Sequence, residues 1–395
     1  MKLVAGSYER FLWGWQVRAK KSQLDLAFSY PAHVGPVKCI AACGSIVATG
    51  GSDDTIRVYD VSAGKDMGSL FHHTGAVTCL DFFLPEVSPL QRPTHLFSGS
   101  EDGTIAVWDT ESWTHLKSMK GHKTALNSLT VHPTGKVALS VERDGHLKMW
   151  NLLNGRCTYT YKLPSEGTLI KFSPQTGESY ALARGEVLDI YTVETGLVEH
   201  SLGHEKKILC LAQNQDGLVF TGGEDRVIRA WDTRSGKLAI SVPKAHSNRI
   251  RGICTLNSPE SAELPHLLAS ASSDGSVRIW DTRMHQSIDD SASPSPAFET
   301  STKARLTCLV SCGSAKKLES VSLASPQDAD ASTKKVLNGT EDHTALDNGG
   351  SNKAETGGKK KKKAKRKSVV VEVQETLNQV RKKKTKKMKH HVKST

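Results

Sequence analysis

Apolar and polar positions alternate with a period of two over most of the first 312 residues, in short runs bounded by Gly, Asp, Ser and Pro. Runs such as "AVTCLDFF" (76–83) and "TIAVWD" (104–109) predict half-buried β-strands, because successive side chains of a strand point to opposite faces. The runs also repeat. Aligned on an aromatic near its end, "LFSGSEDGTIAVWDT" (96–110) has counterparts in "VATGGSDDTIRVYD" (47–60), "ALSVERDGHLKMWN" (138–151), "VFTGGEDRVIRAWD" (219–232) and "LASASSDGSVRIWD" (268–281). Weaker copies stand at "LVAGSYERFLWGW" (3–15) and "ALARGEVLDIY" (181–191). The aligned aromatics are Trp15, Tyr59, Trp108, Trp150, Tyr191, Trp231 and Trp280, spaced 40 to 49 residues apart. That period predicts a propeller with one four-stranded blade per repeat, since single blades cannot bury both faces but stacked blades can.

The ends decide the blade number. The N-terminal copy supplies a second and a third strand but no first strand, and the missing one reappears far away as "ARLTCLVSC" (304–312), a mirror of "GAVTCLDFF" (75–83). The predicted fold is therefore all-β: seven blades, with the ring closed by pairing of N- and C-terminal strands so that no sheet edge is left open at the seam. Glu9 stands in the Asp place and Ala5 in the hydroxyl place of the shared blade. The repeat around 160–200 departs most, with Gly185 in the Asp place, no histidine, and Tyr191 for Trp.

Recurrence also settles the first candidate chemistry. A Ser-His-Asp nucleophile site or a phosphate-cradling glycine loop could be drawn from His73, Ser98, Asp102 and Gly103 taken alone. The same set returns in five blades, whereas an enzyme needs one nucleophile, so the set reads as structure, and neither a catalytic residue nor a cofactor site is expected. Among eight cysteines, Cys39, Cys79, Cys210 and Cys308 occupy one equivalent first-strand position, where Ser128 stands in another blade. Dispersed around a ring, they suit a small buried residue rather than a metal centre or disulfides. No apolar span is long enough for a membrane helix, and the N-terminus is charged too soon for a secretory signal.

Charge divides the chain. The formal net charge is +12, and residues 313–395 alone carry 21 Lys+Arg against 9 Asp+Glu, so residues 1–312 are balanced. The expected domains are a propeller (1–312), a flexible linker (313–358) too poor in apolar residues to order itself, and a lysine-rich, disordered tail (359–395). The tail holds two basic blocks: Lys359, Lys360, Lys361, Lys362, Lys363, Lys365, Arg366 and Lys367, then Arg381, Lys382, Lys383, Lys384, Lys386 and Lys387. Such blocks serve nuclear import or grip phosphate by releasing condensed counterions. No aromatic follows Phe298, so the tail has no platform for stacking on bases and any RNA binding should be electrostatic. On the propeller, Lys123, Lys206, Lys207 and Arg249 follow the recurring histidines and form a candidate partner-binding cluster if their loops share one face.

The repeats resemble WD-repeats. In that family the histidine before the first strand, a Ser or Thr on the second, the turn Asp and the third-strand Trp form a buried hydrogen-bonded tetrad. Carried over by position, the resemblance implies His73, Ser98, Asp102, Trp108; His122, Ser140, Asp144, Trp150; His204, Thr221, Asp225, Trp231; and His246, Ser270, Asp274, Trp280, with His33, Thr49, Asp53 and Tyr59 as a variant. A closed chain of this kind satisfies four buried polar groups at once.

A finer resemblance follows from "MKLVAGSYERFLWGW", "FHHTGAVTCLDFF", "LKSMKGHKTALNSLTVHPTGKVALSV" (116–141), "ASSDG" and "ARLTCL" ahead of a lysine-rich C-terminus. These stretches are similar to the PAK-interacting WD-repeat protein family, whose fungal members are needed for ribosome assembly. The resemblance implies a nucleolar factor in large-subunit maturation and pre-rRNA processing, a scaffold that binds pre-ribosomal proteins and works as one chain inside a larger complex, with pre-rRNA on its tail. It also implies a second role, binding and restraining a p21-activated-type protein kinase. A further alternative is a substrate receptor of a cullin ubiquitin ligase, since "WDTR" at 231–234 and 280–283 resembles the adaptor-contacting motif of such receptors.

Overall fold

The computed structural model describes residues 1–18, 23–85, 92–256, 266–285 and 295–313. The linker beyond 313 and the lysine-rich tail lie outside the described residues, as does most of the two loop insertions. The described residues form seven four-stranded antiparallel sheets. Six of them are consecutive in sequence, covering 37–71, 77–120, 126–162, 169–203, 208–242 and 250–301, and are numbered here as the first to sixth blades.

The seventh blade is shared between the termini. Leu306–Cys312 is its innermost strand and pairs with Lys2–Ser7 in the register Lys2↔Cys312, Val4↔Val310 and Ala5↔Leu309. Phe11–Arg18 and then Gln23–Pro31 complete it, so the N-terminus supplies the outer strand as well as the two middle ones. This pairing of the two ends completes the seventh four-stranded sheet and closes the ring. No helix among the described residues is long and apolar enough to cross a membrane.

Each blade is built the same way for the same reasons. The second strand is buried after its first residue, as in Ile46–Gly51 and His95–Ser100, and its small residues let neighbouring blades approach. The core therefore lies in slabs between blades. Cys79, Phe97 and Ile105 of the second blade pack against Leu126, Leu129, Ala138 and Trp150 of the third. Fully buried side chains such as Leu126 each contribute about 1.5–3 kcal/mol, so removing one blade face exposes a large part of the stability.

The cysteine position has a geometric cause. A Cβ added to Gly99 would lie 2.6 Å from Cys79 Sγ, and one added to Gly50 would lie 2.6 Å from Cys39 Sγ and 2.7 Å from Val77 of the next blade. A thiol over a bare glycine is what that space admits. All eight cysteines are free, and burial pushes the thiols of Cys79 and Cys308 up to about 12 and about 11. These buried thiols are protonated packing groups rather than nucleophiles or ligands.

Candidate interaction surface

The seven inner strands line a central channel with a cavity of about 470 Å³. In six blades the inner strand carries a one-residue bulge near its start, for example between Val37 and Cys39 or between Ile250 and Gly252. The extra residue is Lys38, Thr78, Asn127, Leu209, Arg251 and Thr307 in the first, second, third, fifth, sixth and seventh blades, and each lines the channel. The fourth blade has no bulge and only four residues, Leu169–Phe172, in its inner strand.

Because all inner strands run the same way, the connections into them and the turns after the second strands end on one face. The recurring histidines and carboxylates meet there. In the second blade His73 Nδ1 lies 3.1 Å from Asp102 and its Nε2 2.8 Å from Ser98 Oγ, while Trp108 Nε1 donates to the same hydroxyl at 2.9 Å. Asp102 also accepts from Thr74 N at 3.0 Å and from the Thr104 hydroxyl at 2.6 Å. Nδ1 must carry the imidazole proton to face a carboxylate, so Nε2 accepts from Ser98. Burial lowers the His73 pKa, with Asp102 opposing the shift. The first blade repeats the pattern through His33, Thr49 and Asp53, with the buried Tyr59 in the indole place.

Three blades depart from the positions carried over. In the third blade Ser140 accepts from Trp150 at 2.8 Å and lies 2.6 Å from His122 Nε2, but the carboxylate beside His122 is Glu142, with Oε2 at 3.1 Å from Nδ1. Asp144 instead lies 2.7 Å from His146 Nδ1. This corrects the expectation for Asp144. His146 stands where the first two blades have Thr55 and Thr104, and it draws Asp144 to itself; Glu142, two residues after Ser140, is long enough to fill the vacated place.

In the fifth blade Arg229 is interposed. Its guanidinium donates to His204 Nδ1 at 3.1 Å and to Asp225, so Asp225 does not receive the imidazole proton. An arginine only donates, hence His204 Nδ1 accepts, its Nε2 carries the proton toward Thr221 Oγ1 at 3.3 Å, and Thr221 in turn donates to the Arg229 carbonyl at 3.3 Å. Trp231 Nε1 also reaches Thr221, at 3.3 Å. Burial, with Arg229 adding to it, lowers the His204 pKa to about 4.

In the sixth blade His246 Nε2 is 2.7 Å from Ser270 Oγ and Trp280 Nε1 donates to Ser270 at 2.9 Å, but Nδ1 is 3.6 Å from Asp274 and closer, at 2.8 Å, to Ser276 Oγ. Ser276 donates on to Asp274 at 2.6 Å, so the carboxylate is reached through a hydroxyl relay.

The fourth blade replaces the set altogether. Asp189, buried to 1 % exposure, accepts from Arg184 Nε at 2.6 Å and from Ser201 at 2.7 Å, and Tyr180 stacks on Tyr191 with ring centroids 4.8 Å apart. Nothing in the repeat frame signals this pair, because Asp189 falls where other blades carry Arg57, Ala106, Lys148, Arg229 and Arg278.

Lys123, Lys206, Lys207 and Arg249 follow His122, His204 and His246 and are exposed on that same face. They are interleaved with Glu101, Glu205 and Glu224, so the face is mixed in sign. Arg251, missed by the sequence reading, stands apart. It is half-buried at the channel mouth without a hydrogen bond or ion pair among the described residues, and burial together with the neighbouring Arg249 charge lowers its pKa.

The WD domain, G-beta repeat family matches residues 25–60, 64–109, 113–151, 196–232 and 238–281. The stretch 152–195 that it passes over holds most of the fourth blade, whose polar set is its own. The chain is 37% identical over 311 residues to the "p21-activated protein kinase-interacting protein 1-like" of Xenopus laevis, covering 78% of this chain and 81% of that protein. The chain belongs to the PAK-interacting WD-repeat family. Within that family it is 31% identical over 317 residues to the human "p21-activated protein kinase-interacting protein 1", covering 78% of this chain and 76% of that one. It is 26% identical to "Shk1 kinase-binding protein 15" of Schizosaccharomyces pombe over 291 residues, 71% of this chain and 77% of that protein. A family of WD-repeat propellers is one of non-catalytic scaffolds, and the recurring Ser-His-Asp sets are holding groups.

Proposed function

We propose that this chain is an assembly factor in ribosome biogenesis that divides its work between two parts. The propeller binds a pre-ribosomal protein on the face carrying Lys123, Lys206, Lys207 and Arg249, and the tail binds pre-rRNA and directs the chain to the nucleolus. The observation that carries the reading is the charge division: a balanced ring of blades joined to a segment that holds the whole +12 excess. A dense lysine run gains affinity for phosphate by counterion release and needs no fold to do so. Deleting 359–395 should abolish nucleolar enrichment and RNA cross-linking while co-purification with protein partners persists; unchanged localisation would reject the role of the tail.

A second reading is favoured by the names of the relatives, which are kinase-interacting and kinase-binding proteins. On that reading the same face restrains a p21-activated-type kinase. Affinity purification with nuclease present separates the two, since RNA-dependent partners are lost and a kinase is retained. The ubiquitin-ligase alternative has less behind it: Arg283 of the second "WDTR" is held by its own Asp281 at 2.6 Å, as a local structural pair.

A further inference from the structure

The recurrence that marks the tetrads as structural also marks one cluster as singular. Glu142, Asp144 and His146 of the third blade each offer a ligand atom, and these atoms lie within 4.8 Å of one another. At the position of Glu142 the other blades have Gly51, Ser100, Ala183, Gly223, Ser272 and Ser7; at that of His146 they have Thr55, Thr104, Val187, Val227, Ser276 and Phe11. Among the described residues, this blade alone brings three such side chains together on the turn.

Hydrogen bonding accounts poorly for the arrangement. Both carboxylates converge on one nitrogen: His146 Nδ1 lies 2.7 Å from Asp144 Oδ1 and 3.3 Å from Glu142 Oε1, and it carries at most one proton. From the interior, His122 Nδ1 faces Glu142 Oε2 at 3.1 Å with its side chain fully buried, yet it makes no hydrogen bond of acceptable geometry. Meanwhile Glu142 is already oriented. Its Oε2 accepts Lys123 N at 2.9 Å and Thr124 N at 3.2 Å, leaving Oε1 turned toward Asp144 and His146.

We propose that Glu142 Oε1, Asp144 Oδ1 and His146 Nδ1 form a binding site for a divalent transition ion of the Zn²⁺ class. One imidazole and two carboxylates without thiolate are the borderline nitrogen and oxygen donors such an ion accepts, at about 2.0–2.2 Å. The backbone N–H groups on Oε2 are the outer contacts that hold a ligating carboxylate in place. Glu142 is buried, whereas the side chains of Asp144 and His146 are 31 % and 30 % exposed, so the open position faces solvent on the same side as Lys123. A water or a carboxylate of a docked partner completes a site with three protein ligands. The sequence points to no metal site among its cysteines; here the donors come from a turn whose frame also carries the tetrad carboxylate.

The test uses the full chain, titrated with Co²⁺ followed by its visible ligand-field bands and with Zn²⁺ by calorimetry. The variants are Asp144→Asn and His146→Thr, the latter installing the residue that two blades already carry at this position, so folding is preserved and is checked by circular dichroism. The wild type should take up one more equivalent than either variant, in an oxygen/nitrogen rather than thiolate spectrum, and Zn²⁺ should raise the melting temperature of the wild type alone. An affinity loss of about tenfold or more in folded His146→Thr supports the site. Equal stoichiometry and affinity in wild type and both variants would place any bound ion elsewhere in the chain, and no saturable uptake by the wild type would equally overturn the proposal.

Discussion

Arg305 and Glu9, 296 residues apart in sequence, meet at the seam of the ring: Arg305 Nε donates to Glu9 Oε1 at 2.8 Å, its backbone N–H to Oε2 at 2.9 Å, and its guanidinium lies 4.1 Å over the Tyr8 ring. Burial alone would raise the Glu9 pKa, and the Arg305 hydrogen bonds hold it below the usual carboxylate range. Glu9 does at the shared blade what the turn Asp does elsewhere, but its partner is an arginine from the other end of the chain.

The pair itself is largely solvated, with Arg305 61% and Glu9 39% exposed, so Glu9→Gln should cost about 0.2–1 kcal/mol. Loss of the strand it flanks is another matter. Truncation after residue 305 removes Leu306 and Leu309 from the core and opens the ring, and should abolish cooperative unfolding. Chemical denaturation of the two variants checks the contrast; a cooperative, native-like transition in the truncated chain would contradict closure by the termini.

The fifth blade should show the opposite imidazole tautomer from the first two. Nitrogen-15 spectra of histidine-labelled protein are expected to show His33 and His73 protonated at Nδ1 and His204 at Nε2, with His204 still neutral at pH 5. Removing the arginine that sets this tautomer, Arg229→Ala, leaves Asp225 buried without its cation and should destabilise by about 3–5 kcal/mol, against about 1–3 kcal/mol for Ser98→Ala, which leaves the Trp108 indole N–H and His73 Nε2 without their shared partner.

These histidines also set a pH dependence. For His204 the folded pKa, about 4, lies below the ordinary value of 6.5, so the unfolded chain takes up the proton first. Stability is full above about pH 6.5 and falls as the pH is lowered toward 4, and the depressed pKa values of His33, His73 and His122 act in the same direction. Below that window Asp53, Asp102 and Asp274, whose pKa values are lowered by hydrogen bonds that overcome burial, lose their stabilisation in turn. Urea midpoints measured from pH 8 to pH 4 should decline, with His204→Gln flattening part of the slope between 6.5 and 4.

Gly99→Ala should destabilise by about 1–3 kcal/mol, because the new methyl meets Cys79 Sγ at 2.6 Å and Leu126 at 3.0 Å. Cys79→Ala in the same chain removes the nearer clash and should recover part of the loss, a coupling that a double-mutant cycle reads directly. Strictly additive effects would show that the glycine is not matched to the thiol.

What was legible in the sequence was whatever repeats. The aromatic spacing marked the blades, and the likeness of 304–312 to 75–83 marked the seam, because both are consequences of burial that every blade must satisfy. The outer strands were not legible: Arg156–Lys162 is exposed along its length, so no period-two core face marks it. Nor were the substitutes within the polar sets. Glu142 takes the place beside His122, Arg229 comes between His204 and Asp225, and the Arg184–Asp189 pair stands in for the set of the fourth blade; only the geometry shows these exchanges. A carboxylate two residues after Ser140 together with a histidine in a threonine place was the available signal for the third blade.

The central claim is that the ring is a balanced scaffold and the tail its grip on RNA. The most direct measurement is the salt dependence of affinity for a ribosomal RNA fragment, in the full chain and in the chain ending at 358. The full chain should bind with a steep negative slope of log affinity against log salt, about −0.7 per phosphate neutralised on single strands, and the shortened chain should lose most of both affinity and slope. An unchanged slope after removal of 359–395 would contradict it, placing the RNA contacts on the propeller.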